Sequence, residues 1–534
     1  MCSRCARVGV QCSYGGKQWT FVEQTASSEG PQREIVLRGQ RTSNSRRQTP
    51  TPSRSIPGGD SERHLRRTGF EIETLADFWE RFLPREDPDT VYVGGVYPVP
   101  WSKTFLELSD TDESVKLALQ ACALVLRSRA TTDPQFQQSA IRLYADALGR
   151  TNKALQDPET AQSDSVLAAC RALANYELLR GTKGERISSQ GHDWLKHVEG
   201  TCRIVQLRGP ERHVSDHGHV LFEDCRANAV LAGIIMRKPN FFTNLEWHSV
   251  PWEQQPRHLH DELFDVMITL PDLLQKTDQL LNNIEEAATL SDRYNALVRA
   301  RDYLSRSLQI AEFLRQWEYK ALAVCMEEAS GMYQDEIGPI DLLAVCSNHG
   351  SGFFHMVMQY WTACILVYAS SWIVYRKVRI ALSPDEPPSL PAWVKPPKIP
   401  EWMNPTLPAS YIVKSSAKYF TPEAGYWGSQ MSSWSLGLTM HYYASIGMVN
   451  SDEMNHLRSL IHIPKFGQMA GQWLRSMANM NSSAKFDPGN RPVYEDIASA
   501  WFGTDRLRER TSSRQAEASG DHEEWRCDSS SGEE

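Results

Sequence analysis

Residues 136–155, FQQSAIRLYADALGRTNKAL, decide the fold. They place Phe136, Ala140, Leu143, Tyr144, Ala147, Leu148 and Leu155 on the i, i+3, i+4, i+7 pattern of one helix face. The same period continues outward. Ser163 stands where an N-cap belongs, ahead of an apolar face of Val166, Leu167, Cys170, Leu173, Ala174 and Leu178. A third helix, about 192–207, buries Trp194, Val198, Cys202 and Val205 and is stopped by Gly209-Pro210. Helical patterns follow at about 217–238, 259–281, 289–328, 352–380 and 453–478, and sustained strand alternation is hard to find. Asp110 and Asp112 precede an apolar helix and read as N-terminal caps or dipole partners. The expectation is an all-α body. A proline-rich excursion at 384–408 interrupts it, because nine prolines exclude both helix and central strand there.

Composition agrees with a large packed body. Of 534 residues, 41% are hydrophobic and 10% aromatic, which excludes a chain disordered throughout. Eleven cysteines are too sparse for a disulfide scaffold, and no apolar h-region follows Met1, so the compartment is expected to be reducing. Formal charge is −8, but residues 1–69 carry eleven Arg and one Lys against five acids, a basic arm suited to a polyanion such as nucleic acid. Four regions follow: 1–22 with three closely spaced cysteines, 23–69 as a disordered basic linker, 70–506 as the helical body, and 507–534 as a disordered acidic tail. Phe353–Val374 passes 22 residues without Asp, Glu, Lys or Arg, long enough to span a bilayer. Its His355, Gln359, Thr362, Ser370 and Ser371 favour a buried core helix over a membrane span.

Cys2, Cys5 and Cys12 carry the strongest chemical signal. C-x2-C-x6-C lets two thiolates three residues apart reach one zinc at about 2.3 Å, with a third from the following turn. Zinc takes four ligands and this segment offers three. Cys122, the next in sequence, sits on an apolar helical face and reads as structural. A redox role for the C-x-x-C lacks a surrounding βαβ pattern. His213, Asp216, His217 and His219 read as a solvated loop, and His192, Asp193 and His197 as capping and packing groups. The Trp427–Met440 stretch reads as core. There is no P-loop, G-x-G-x-x-G, G-x-S-x-G or H-E-x-x-H, so an enzyme has no motif to rest on.

The run from Cys2 to Tyr14, followed by Trp19-Thr-Phe21, resembles the second half of the fungal binuclear zinc-cluster DNA-binding domain. In that family six cysteines hold two zinc ions. Cys2 matches the position bridging both metals; Cys5 and Cys12 match terminal ligands. The body resembles the fungal-specific transcription factor regulatory domain in an ordered set of short motifs: Arg142–Leu148, Asp164–Cys170, Asn175–Leu179, Trp194–Gly200, Gln206–Pro210 and Trp247–Trp252. The resemblance implies a nuclear, sequence-specific regulator of RNA polymerase II transcription, with zinc as cofactor. It implies DNA, coregulators, a small-molecule effector or a second copy as partners, and no membrane. No heptad run follows the cysteines, so no coiled-coil dimer is expected. The family's first C-x2-C-x6-C and its basic run precede this segment in other members. Here Arg4, Arg7 and Lys17 are the only cations near the cysteines, a weak DNA-reading set. The expectation is that the native protein carries the missing half upstream of Met1. The alternative is a regulator that has lost half its zinc module and binds partners or ligands only.

Overall fold

The computed structural model describes residues 58–483, apart from 87–89, 91–98, 132, 182–188, 288, 329–340, 347 and 382–395. Seventeen α-helices and no strand occur among the described residues: α1 (Gly58–Phe82), α2 (Trp101–Thr111), α3 (Glu113–Thr131), α4 (Pro134–Ala154), α5 (Asp164–Arg180), α6 (Ser189–Arg208), α7 (Asp216–Met236), α8 (Leu245–Ser249), α9 (Leu259–Met267), α10 (Leu270–Glu285), α11 (Leu290–Glu328), α12 (Leu342–Val345), α13 (Gly350–Ala381), α14 (Thr406–Ser415), α15 (Gly425–Ser445), α16 (Asp452–Leu460) and α17 (Phe466–Ser483). The all-α expectation holds.

Local chemistry sets the boundaries. Asp133 accepts from the Gln135 amide at 2.8 Å, with Pro134 in the first turn, where its missing N–H costs nothing. Ser163 caps α5 through the Val166 amide at 3.2 Å, as its position in the sequence predicts. Asp112 caps α3 through the amides of Ser114 and Val115. Asp110 instead lies exposed in the last turn of α2 and caps nothing. Gly209, with φ of +77°, ends α6 just before Pro210.

Two patterns read as single helices are each broken by a proline. The 259–281 run splits into α9 and α10 because Pro271 belongs in a first turn and not in an interior. The 453–478 run splits into α16 and α17 around Pro464, with Lys465 at φ +68°. The linker boundary also moves. α1 begins at Gly58, inside the segment 23–69 expected to be a tether, so the basic run Arg63–Arg67 is helical backbone. Residues 1–57, 384–395 and 507–534 lie outside the described residues; 396–400 are irregular.

The helices form two groups sharing one core. In the first, α3 lies against α1, α2, α4 and α5, and α5 continues onto α6. In the second, α13 lies at the centre, against α10, α11, α14 and α15. α15 and α17 join the groups, α15 touching α1 and α17 touching α6. One contiguous apolar core runs from Phe78 to Leu474. α13 contains Phe353–Val374 and is the one described helix long and apolar enough to cross a membrane. Its most apolar window is 83% buried inside the body, so here it is a core helix.

α1 is locked in place by its C-terminal end. Phe78 and Phe82 stack at 5.2 Å, and Phe82 meets Trp101, which meets Phe105 at 4.8 Å. The Arg85 amide then donates to the Glu423 carbonyl at 2.6 Å, and Glu86 accepts from the Ser351 amide at the start of α13. The chain thus passes from α1 to the amino-terminal ends of α13 and α15 within four residues.

Candidate regulatory core

Cys2, Cys5, Cys12, Arg4, Arg7 and Lys17 lie outside the described residues, so the structure does not place the proposed metal and DNA-binding groups. It does place seven other cysteines. Six are buried and Cys202 is half-buried. Burial pushes the Cys202 and Cys364 thiols up to about 12 and Cys122 and Cys170 higher still, so all four are neutral at physiological pH. Cys122 donates to the Ala172 carbonyl at 3.4 Å, as expected of a structural cysteine. Among the described residues no group of three His, Cys, Asp or Glu side chains is placed to hold a metal.

Buried polar groups link α5 to α7 and α15. Arg171 on α5 is 4% exposed and grips Asp224 of α7 through Nε and Nη2. One turn along α5, Asn175 accepts from Arg171 at 2.7 Å and from Gln430 of α15 at 3.4 Å. One guanidinium therefore ties α5, α7 and α15 together. Around the start of α15, His355 of α13 bonds the Tyr419 hydroxyl at 2.7 Å and Gln359 at 3.0 Å, with Trp427 edge-on to its ring. Burial pushes His355 down to about 3, so it is neutral and each ring nitrogen is used.

A second cluster ties α4, α5 and α6. The Tyr144 ring stacks on Tyr176 at 4.5 Å and its hydroxyl meets His197 Nε2 at 3.1 Å. Glu177, 2% exposed, pairs with Arg180 at 2.8 Å, and Arg180 also reaches Asp193 at 3.1 Å. His192, Asp193 and His197, expected to cap and pack, fall in α6; Asp193 is in this ion-pair chain and His197 is buried. Burial drives Glu177 up to about 7, against the pull of Arg180, and drives His197 down to about 4.

The sign follows from linkage. A carboxyl raised in the folded state adds stability that is whole below its unfolded value near 4.5 and is lost as pH rises to about 7. Glu177→Gln cannot ionise. Its stability relative to wild type should therefore grow between pH 5 and 7, by something on the order of 2 kcal/mol, and stay flat above pH 8. Urea titrations at four pH values read this directly; a difference constant with pH would refute it.

The solvated-loop reading of His213 and His219 is overturned. His213 is fully buried in the single turn Pro210–His213, bonded to the Gly218 carbonyl at 2.9 Å and enclosed by Phe222 and Trp247. His219 is buried edge-on to Trp252 and pairs with Glu223 at 3.4 Å. Only His217, reaching Glu107 at 2.8 Å, and Asp216 remain near the surface. Trp252 also receives the guanidinium groups of Arg226 and Arg257 at 5.6 and 5.0 Å, both paired with Asp265. The aromatic residues of Trp247–Trp252 thus cap a charged layer between α7 and α9, whereas the loop's polar composition had suggested exposure. The Trp427–Met440 stretch is core, as expected: Trp427, Leu436 and Met440 are buried.

The motif-bearing helices α4 to α7 thus form one polar-cored unit, which meets the second group through α7 against α9 and α10 and through α6 against α17. Residues 90–368, just over half of the chain, match the family described as the fungal specific transcription factor domain. The chain belongs to that family. This fungal transcription factor domain runs from just ahead of α2 to the middle of α13, and it holds Arg171, Glu177, His197 and His213 alike. Over 133 residues the chain is 26% identical to the uncharacterized protein AN5342 of Emericella nidulans, a match spanning 25% of this chain and 27% of that one. No solved structure matches. Sequence patterning missed Arg171, Asp224 and Glu177 as a group; the available signal was a charged residue at each of two positions on the otherwise apolar face of α5.

Proposed function

We propose that the protein is a nuclear, sequence-specific regulator of RNA polymerase II transcription. A zinc module containing Cys2, Cys5 and Cys12 meets DNA, and the helical body receives coregulators or a small-molecule effector. The observation that carries this reading is the family match over 90–368 in a chain that also holds C-x2-C-x6-C in a basic arm. The donor set suits zinc in kind, since three thiolates at this spacing are soft ligands, and supplies three of the four it requires. The seven described cysteines cannot complete it, being fixed within the helical body. The remaining donors must come from elsewhere. Arg4, Arg7 and Lys17 add phosphate contacts at the weak end of the range.

The test uses protein purified from its native cells. Zinc is measured by plasma mass spectrometry, and binding to a randomised duplex pool is followed across a salt series. We expect stoichiometric zinc and selective duplex binding that falls steeply with salt, both lost in Cys5→Ser while body helicity is kept. Zinc-free protein that binds no duplex would sink the proposal. The three-thiolate count would then favour a regulator that acts through partners and reads no DNA itself.

A further inference from the structure

Three large side chains stand exposed along one face made by α11, α13 and the segment 399–405: Tyr319 (61% exposed) on α11, Trp372 on α13 and Trp402. They form one surface. The Arg315 guanidinium lies 6.0 Å from the Tyr319 ring and 5.0 Å from the Trp402 ring. Trp402 packs edge-on to Tyr368 at 6.0 Å, and Trp372 Nε1 donates to the Met403 carbonyl at 2.7 Å. A contiguous aromatic surface of this kind on a folded body is an interaction site.

Its charge indicates what covers it. Arg376 and Arg379 follow Trp372 on the same face of α13 at the fourth and seventh residues. Lys398 leads into Trp402, and Lys414 lies over Tyr411 on α14 at 5.9 Å. Among the described residues none of these four cations has an ion-pair partner, whereas Arg315 and Lys320 are already paired with Glu312 and Glu262. The face therefore calls for an acidic segment carrying an aromatic anchor. This chain has one: residues 517–534 hold seven acids against a single arginine, arranged around Trp525. The 33 residues between Ser483 and Glu517 reach roughly 100 Å when extended, against a body radius on the order of 20 Å, so every face is within range.

We propose that segment 517–534 docks in cis on this face, with Trp525 against Trp402 and Tyr319 and its carboxylates toward Arg376, Arg379, Lys398 and Lys414. The contact covers a surface that a coregulator would otherwise use. The mixed aromatic and charged character makes it salt-sensitive and displaceable.

Carbodiimide joins lysine amines to carboxylates in direct contact, so the full chain can report on itself. We expect cross-links from Asp521, Glu523, Glu524 or Asp528 to Lys398 and Lys414. They should fall several-fold in 0.5 M salt and in Trp525→Ala, at unchanged far-UV dichroism. Mixing isotopically light and heavy protein should give links within single copies only. As a second reading, hydroxyl-radical oxidation of Trp402 and Tyr319 should rise several-fold in Glu523→Gln/Glu524→Gln. Links made only to Lys17, links between copies, or unchanged Trp402 oxidation in that variant would each overturn the proposal. The last outcome would mean that another segment covers the face or that nothing does.

Discussion

Gly425→Ala should destabilise the protein by about 3 kcal/mol, from backbone strain and overpacking together. Gly425 opens α15 at φ +60°, a conformation that costs a β-carbon roughly 1–2 kcal/mol. That carbon would also stand 2.8 Å from the carbonyl oxygens of Arg81, Phe82 and Leu83, which close α1. Backbone oxygens at a packed junction cannot swing aside as a side chain would, so overpacking adds roughly 1–3 kcal/mol. Gly447→Ala is the internal control. Its φ is +80°, but no atom lies within 4 Å of the added carbon, so the backbone cost stands alone. Gly149→Ala, in open space within α4, should stabilise by roughly 0.5–1 kcal/mol. Urea midpoints for the three variants should rank in that order. Equal losses at 425 and 447 would show that the α1–α15 junction relaxes freely.

Removing one partner of the Arg171–Asp224 pair should cost about 3–5 kcal/mol, because the survivor stays buried and uncompensated. Arg171→Met leaves Asp224 without its guanidinium and Asn175 with only the longer bond from Gln430. Asp224→Ala strands a cation whose side chain is 5% exposed. The double variant Arg171→Met/Asp224→Leu should recover most of either loss, since an apolar pair of similar volume replaces both charges. Denaturant curves of the two single variants and the double variant give the coupling. If Asp224→Ala costs under 1 kcal/mol, water reaches the pair and the site is no rigid tie between α5, α7 and α15.

What could be read in advance divides along a physical line. The period of Phe136 to Leu155 gave α4 to within two residues at either end, and Ser163 gave the start of α5 correctly, because both signals are local. α13 was also legible: an uncharged run interrupted by His355, Gln359 and Thr362 suits a core that offers partners to such groups, and Thr362 does bond Ser435 at 3.0 Å. Failures arose where distant chain decided the outcome. His213 looks like a loop residue beside Asp216 and His217; Phe222 and the return of Trp247 enclose it. The segment Gly58–Arg67 is poor in apolar residues and rich in arginine, so it reads as a tether, yet it continues a helix anchored by Phe78 and Phe82. The buried ion pairs were invisible for the same reason: Arg171 and Asp224 are 53 residues apart.

α13 also sets a problem of biosynthesis. Two of its neighbours, α10 and α11, are already made when it leaves the ribosome, but α14 and α15, which close its other sides, are not. α15 ends at Ser445, 64 residues after Ala381. At roughly 5–20 residues per second this leaves an apolar helix half-covered for about 3–13 s, longer than helix formation or collapse require. During that interval the nascent chain displays the features by which targeting factors recognise membrane-bound segments, and a chaperone that shields α13 until α15 arrives would decide how much of the protein matures.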